Sequence, residues 1–459
     1  RTIRCRIATG SYDVIGSCIR SPSHSSASPK TGRANGQSRP YHTSSSWTHR
    51  LRPESSIIGA MSINEPSSDA VARTAPWVQL RSAAFQTFIY KKMIREASPD
   101  ARPGSSVTVY DRHGKVFGHG LYNPRSEIAI RMLNFTEQPL DGPYWNDILA
   151  RAVGLRRKTL RLDDTTGAYR LIHAEGDDLS GLVVDRYADM LSVEVFSLGI
   201  WRQMDLLLPI LHELAGTRHH RVTVDERVQR HEGFQAQTME SENLPSSVKI
   251  SENQVRFRVD FAQGHKTGFF CDQRDNRQRL SRLTSGCRVL DLCCYSGGFG
   301  LYAKVLGRAE HVTCVDLDEN AVEMARRNAH LNETRIDLVH ADAFPYMRQM
   351  LANGRSYDVL VLDPPKLIFG RNEIEEGRRK YFDLNRLAAA LVAPGGVLLT
   401  CSCSGAMARD DFVSLTVGAA RLAGRQSQIL DVTGAAPDHP VSPRCPESAY
   451  LKAVWLRLH

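Results

Sequence analysis

Three acids, a proline-stiffened loop and a pair of thiols each follow a short apolar run that reads as a buried strand. The run 288–292, with Asp291 inside it, is followed by Cys293, Cys294, Tyr295, Ser296, Gly297, Gly298, Phe299 and Gly300. Gly297 and Gly298 let a backbone turn tightly and approach a ligand closely, and Asp291 could accept a hydrogen bond from an amine or hydroxyl. No G-x-G-x-x-G is present and no phosphate-binding lysine follows, so an ordinary strand–helix turn is the plain alternative. Asp316 stands 25 positions beyond Asp291, where an acid can hold both hydroxyls of a ribose or simply begin a helix. Asp342, between Ala341 and Ala343, falls where an adenine amino group would lie, or serves as an N-cap. The run 359–362 is followed by Asp363, Pro364, Pro365 and Lys366. Two prolines fix φ and remove two donors, so this loop is rigid and presents Asp363 from a stiff support. After 396–402 come Cys403, Ser404 and Gly405, with Cys401 inside the run. A thiol here faces the cleft that Asp363 faces, although a cysteine at a strand end is often a small buried filler.

The elements that position these residues alternate. Strands at 288–292, 311–315, 337–340, 359–362 and 396–402 are separated by helices at about 299–306, 318–331, 346–352 and 373–392, with a last strand at 450–458. That rhythm is a doubly wound parallel sheet, whose ligands lie beyond the carboxyl ends of its strands. Upstream the pattern differs. Residues 106–111, 115–122 and 128–133 alternate as short strands of a β-rich module, and 141–161 read as a connecting helix. A hairpin (181–185 with 191–196), a helix at 201–214, a strand at 221–224 and a hairpin turned at 251–253 then suggest a strand-strand-helix-strand-strand α+β layer.

The 459 residues are enough for two or three domains. The net charge of +9 is concentrated in residues 1–60, which carry nine Arg/Lys against Asp13 and Glu54; the remainder holds 50 basic and 48 acidic residues. Bulk charge is therefore no argument for nucleic acid binding. Ten cysteines include no C-x-x-C pair, which speaks against zinc and against a disulfide framework and for free thiols in a reducing compartment. No apolar run approaches the length of a membrane span. Residues 1–60, rich in Ser and Arg, read either as an organellar transit peptide or as sequence upstream of a start at Met61, and in both cases as disordered.

Together these residues resemble the class I methyltransferase superfamily, and more narrowly the bacterial 23S rRNA cytosine-5 methyltransferases that carry an N-terminal PUA-like domain. The resemblance is carried by 170–185 (RLIHAEGDDLSGLVVD), 264–274 (GHKTGFFCDQR), 289–299, 363–366, 401–405, and Asp438-His439-Pro440 followed by Tyr450-Leu451-Lys452, and it covers roughly residues 80–459. One departure is local: where the family has His-Pro-Trp-Val-Phe, this chain has Gln86, Thr87, Phe88, Ile89 and Tyr90.

The resemblance implies a disordered leader (1–75), a PUA-like RNA-binding domain (76–137), a linker helix with the central α+β domain (138–262) and a Rossmann-like methyltransferase domain (263–459). It implies S-adenosyl-L-methionine held by Asp291, Tyr295, Ser296, Gly297, Gly298, Phe299, Asp316, Asp342 and Ala343, and substrate contacts from Lys266, Pro364, Pro365 and Lys366. Cys403, which matches the family's single cysteine in Ser-Cys-Ser-Gly, is the implied nucleophile towards carbon 6 of a cytosine, with Asp363 on the base's polar edge. The partner implied is large-subunit ribosomal RNA, with no metal and no membrane, and with a homodimer left open. The place implied is the cytoplasm, or an organelle if residues 1–60 are a transit peptide. A guanine N7 or N2 methyltransferase on this fold would need no thiol, because a nitrogen target already has a lone pair. A non-catalytic RNA-binding protein and a nicotinamide dehydrogenase are the alternatives from other classes.

Overall fold

The computed structural model describes residues 73–82, 85–261 and 268–459. Residues 1–72 of the expected leader, and Lys266, lie outside the described residues. The first sheet has six strands: β1 (Trp77–Leu80), β2 (Phe88–Tyr90), β3 (Ile94–Ala97), β4 (Ser105–Tyr110), β5 (Val116–Tyr122) and β6 (Ile128–Asn134). They are ordered β2-β6-β5-β4-β1-β3. The three strands legible from alternation, β4 to β6, are its antiparallel centre. The other three have only three or four residues, too few for a period of two to show. Asp111 sets the β4–β5 turn by accepting from the amides of His113 and Lys115 at 2.8 and 2.9 Å.

The connecting helix Gly142–Gly154 starts where the Asp141 side chain accepts from the Tyr144 amide at 3.0 Å. It continues into a wider π turn, Leu155–Thr159. That extra residue per turn rotates the helix surface and sends Arg156 inward, where it is fully buried. Next come β7 (Ala168–His173), β8 (Leu182–Tyr187), β9 (Met190–Val195), β10 (His219–Thr223) and β11 (Met239–Glu240), a sheet ordered β11-β10-β9-β8-β7. The helix Met204–Ala215 packs Leu207, Leu208 and Leu211 into its core with Trp145, Ile148 and Leu149.

The last hairpin does not join this layer as the sequence suggested. β12 (Ser247–Glu252) and β13 (Val255–Asp260) form a separate two-stranded sheet, turned at Asn253 and Gln254 (φ +49° and +73°). The reason is what its apolar face meets. Ile250, Val255, Phe257 and Val259 pack on Leu301, Tyr302 and Ala329 of the C-terminal helices. Its edge amides at Arg258 and Arg256 donate to the side chains of Asn328 and Asn332, at 2.9 and 2.8 Å.

The C-terminal sheet contains β14 (Arg288–Leu292), β15 (His311–Asp316), β16 (Asp337–His340), β17 (Tyr357–Leu362), β18 (Val392–Ser402), β19 (Ser427–Thr433) and β20 (Lys452–Leu458). Their order is β16-β15-β14-β17-β18-β20-β19, parallel from β16 to β18, with β20 antiparallel between β18 and β19. The strand order reverses between β14 and β17, so the ends of these two strands frame the crevice where a ligand belongs. Helix Arg274–Ser281 precedes the sheet, and helices cover both faces with separate apolar layers. Among the described residues no helix is long and apolar enough to cross a membrane.

Candidate active site

The turn after β14 is built from backbone conformations that few residues accept. Cys293, Tyr295 and Gly297 all lie at positive φ (60°, 50° and 77°), which reverses the chain within five residues. The Tyr295 amide donates to Asp316 at 2.8 Å, and the amide of Asp318 donates to the other oxygen of the same carboxylate at 2.9 Å. One acid thus ties the ends of β14 and β15 together while remaining partly exposed. Ser296 is buried, its carbonyl accepting from Asn328 at 3.1 Å. Gly298 begins the next helix against Arg277, whose Cδ would lie 3.1 Å from any added Cβ.

Asp291 is fully buried, with one oxygen accepting from the Gly300 amide at 2.9 Å. Its other oxygen has no hydrogen-bond partner. Burial pushes this carboxyl up to about 8, reinforced by Asp363 and Asp316 and opposed by the Gly300 bond. An orphaned acceptor under a left-handed glycine turn suits a polar ligand group. Gly300 answers to packing instead: a Cβ there would meet the Cys314 sulfur at 2.3 Å. Phe299, expected among the cofactor residues, has its ring in the apolar layer with Leu280, Val289 and Val359, so it fastens the helix to the sheet. Asp342 is exposed and caps the helix Ala343–Ala352, accepting from the Phe344 amide at 2.8 Å; Ala343 packs partly buried at its start.

Across the reversal point, Asp363 accepts from Gln273 at 3.0 Å, and the Cys401 thiol lies close by. Burial pushes its carboxyl up to about 7, with nearby Asp272 adding to the shift. Pro364 is buried and Pro365 half-buried behind it, and Lys366 lays its ammonium 5.7 Å from the Phe369 ring centre. The amide of Ile368 donates to Ser404 Oγ at 3.3 Å, and Tyr381 meets the same hydroxyl at 3.0 Å, which fixes the loop after β18 against the proline loop.

The two thiols have different surroundings. Cys401 is fully buried beside Asp363, and burial pushes it well above the ordinary thiol range. Cys403, past the end of β18, is half-buried, next to Ser404, whose carbonyl accepts from Lys452 Nζ at 2.6 Å and whose hydroxyl meets Tyr381 Oη. Cys401 thus lies within the strand beside Asp363, and Cys403 follows directly past the strand's end.

Sequence reasoning passed over several supports that the structure makes central. Gln273, which anchors Asp363, and Asp272, which accepts from Tyr450 Oη at 2.6 Å, both lie in the 264–274 motif. Arg274, next in line, grips buried Asp438 through both nitrogens at 2.7 and 3.1 Å. Asp438 also accepts from the Arg170 amide at 2.9 Å, while its carbonyl accepts from Arg156 at 2.6 Å. Arg156 in turn binds both oxygens of Asp177. The available signal was the motifs themselves, which carried the resemblance without being given a task.

A parallel sheet reversed between its first and fourth strands, with an antiparallel strand inserted near one edge and an acid at each successive strand end, defines a doubly wound nucleoside-binding enzyme fold. The chain belongs to the S-adenosylmethionine-dependent methyltransferase family, whose model matches residues 176–457; a PUA-like domain model matches residues 81–135. Among its relatives is the ribosomal RNA large subunit methyltransferase I of Aeromonas hydrophila, 39% identical over 377 residues, covering 81% of this chain and 94% of the relative. The protein of the same name from Aliivibrio fischeri strain MJ11 is 35% identical over 395 residues, covering 85% and 96%. A solved structure described as a SAM-dependent methyltransferase from Streptococcus mutans shares the fold, with a TM-score of 0.69 and 19% identity over 83% of this chain and all of that one. The cofactor of this family is S-adenosylmethionine, and the orphaned acceptor of Asp291 and the left-handed turn at Gly297 fit it.

Proposed function

We propose that this chain methylates carbon 5 of a cytosine in large-subunit ribosomal RNA, with Cys403 as a covalent nucleophile. The observation that carries the reading is Cys403 itself. It is a half-buried thiol beyond the end of β18, packed against the apolar layer that holds Cys401, which lies near Asp363. The names of the relatives direct the reading to ribosomal RNA, and the PUA-like match is in keeping with it.

Carbon 5 of cytosine is a weak nucleophile. Addition of the Cys403 thiolate to carbon 6 breaks the ring conjugation and makes carbon 5 enamine-like. Bound S-adenosylmethionine supplies an electrophilic methyl group. Asp363 keeps a neutral fraction near pH 7, so it can donate a hydrogen bond to the base's polar edge as negative charge gathers there. The carbon-5 proton then passes to a water molecule, and the electron pair it leaves behind expels the thiolate from carbon 6 and restores the ring. The target base must leave its stack to be reached. Asp291, Tyr295, Ser296, Gly297, Gly298, Phe299, Asp316, Asp342 and Ala343 are the proposed cofactor residues, and Pro364, Pro365, Lys366 and Lys266 the substrate side. The reading divides the chain at 76–137, 138–262 and 263–459, and places it with ribosomal RNA in the cytoplasm.

The test is methyl transfer to ribosomal RNA by the wild type and by Cys403→Ala, with the product nucleoside identified by mass spectrometry. Wild type is expected to form 5-methylcytidine and Cys403→Ala to lose at least a thousandfold in rate. Full activity of the variant would sink the covalent scheme, and a methylated guanine would replace the substrate.

A further inference from the structure

Lys452 is the one residue of the Tyr450-Leu451-Lys452 motif whose position asks for a chemical explanation. It is 4% exposed, at the first position of β20, in register across from Ser402. Its side chain turns towards the loop that carries Cys403, where Nζ donates to the Ser404 carbonyl at 2.6 Å and to the Tyr450 carbonyl at 2.8 Å. Among the described residues no carboxylate forms an ion pair with it, and the titratable groups nearest its amine are Cys403 and Lys366. A buried ammonium without an anion is costly, and the group nearest to supplying one is the Cys403 thiol.

We propose that Lys452 activates Cys403: its buried amine accepts the thiol proton and holds the resulting thiolate. The inference rests on the covalent reading above. As a neutral amine, Lys452 uses both N–H bonds on the two carbonyls and keeps its lone pair for the thiol. The S–H bond breaks, the N–H bond forms, and the new ammonium retains both carbonyls while its third N–H faces the sulfur. The same ion pair awaits the thiolate when the ring expels it, so the proton need not return between steps. Burial, and Lys366 to a smaller extent, push this amine down to about 8, opposed by Cys403 itself. Tyr381 also faces Cys403, and burial raises it out of the range where it could compete for the proton. On the far side Cys401 and Asp363 face one another. Lys452 is thus an activating residue that acts through Cys403.

The experiment is alkylation of the full chain by iodoacetamide from pH 6 to pH 10, with the Cys403 peptide quantified by mass spectrometry, for wild type, Lys452→Met and Lys452→Arg. Wild type should show a midpoint at or below about 8, under the free-cysteine value. Lys452→Met should raise the midpoint by a unit or more and slow alkylation at pH 7 about tenfold, and Lys452→Arg should restore a low midpoint. A lysine that only ties two carbonyls would leave the thiol's titration alone. A wild-type midpoint above 9 overturns the proposal even if Lys452→Met does not fold, and so does a midpoint that Lys452→Met leaves unchanged. An unchanged midpoint with inactive Cys403→Ala removes Lys452 and leaves the covalent reading standing. A shifted midpoint with active Cys403→Ala removes the covalent reading and leaves only the ion pair.

Discussion

The deepest contact between the motifs is the grip of Arg274 on Asp438, and its removal should be the costliest single change outside the catalytic groups. Asp438 is fully buried and Arg274 is 3% exposed. The pair is bidentate, and Asp438 also satisfies the Arg170 amide. Asp438→Ala strips a buried guanidinium of its bidentate anion and leaves it only the longer contact to exposed Asp275 at 3.4 Å, a loss of about 3–5 kcal/mol. The Arg170 amide loses its acceptor at the same time, but the terms overlap and do not add. Asp438→Asn keeps one accepting oxygen and should cost about 2 kcal/mol. Burial alone would raise this carboxyl; His439 and Arg274 outweigh it and hold it far below the usual carboxylate range. A carboxyl whose pKa is depressed on folding stabilises fully above its unfolded value, near 4, and less as pH falls towards the folded value. The gap between wild type and Asp438→Asn is therefore complete at pH 7, nearly complete at pH 5, and shrinks below pH 4. Urea unfolding followed by the buried tryptophans Trp145 and Trp455 reads both sides of the contact. A loss under about 1 kcal/mol for Asp438→Ala, or a gap unchanged at pH 3, would refute the reasoning.

Other perturbations follow from the same geometry. Asp363, raised to about 7, is a carboxyl that folding keeps from ionising, so its contribution to stability is lost as pH rises from about 4 to 7. Asp363→Asn should therefore be more stable than wild type by about 1–2 kcal/mol at pH 8, equal to it at pH 4, and slower in methyl transfer. Gly300→Ala places a Cβ 2.3 Å from the Cys314 sulfur and should cost about 1–3 kcal/mol, most of it recovered by Cys314→Ala in thermal melts. Gly176→Ala drives a Cβ to 2.0 Å from the Pro440 carbonyl oxygen, and backbone cannot step aside as a side chain can; proteolysis within 434–440 should accelerate. Asp342→Ser keeps a capping oxygen but no carboxylate, so the melting temperature should hold while calorimetry shows cofactor binding weakened roughly tenfold.

Legibility varied with the length and regularity of each element. β14, β15, β17 and the second half of β18 were readable because each is a short, largely buried apolar run between turns. β19 was not, because it lies at the sheet edge and its residues are half-buried or exposed. β7 was hidden for another reason: its Arg170 and His173 are polar, and only long-range partners, Asp185 and Asp438, make them fit a buried strand. The π turn that buries Arg156 leaves no trace in a helical pattern.

From the chain alone came the alternation of strand and helix, the acids at successive strand ends, the stiff proline loop and the two thiols, since local periodicity and residue chemistry are properties of neighbours in sequence. Tertiary structure decided that Cys401 is fully buried while Cys403 is only half-buried, that the Phe299 ring packs in the core, that the β12–β13 hairpin leaves the central sheet, and that Lys452 lies next to the Cys403 loop. Those outcomes depend on which side chains exclude water together across tens or hundreds of residues, and no local pattern encodes that distance.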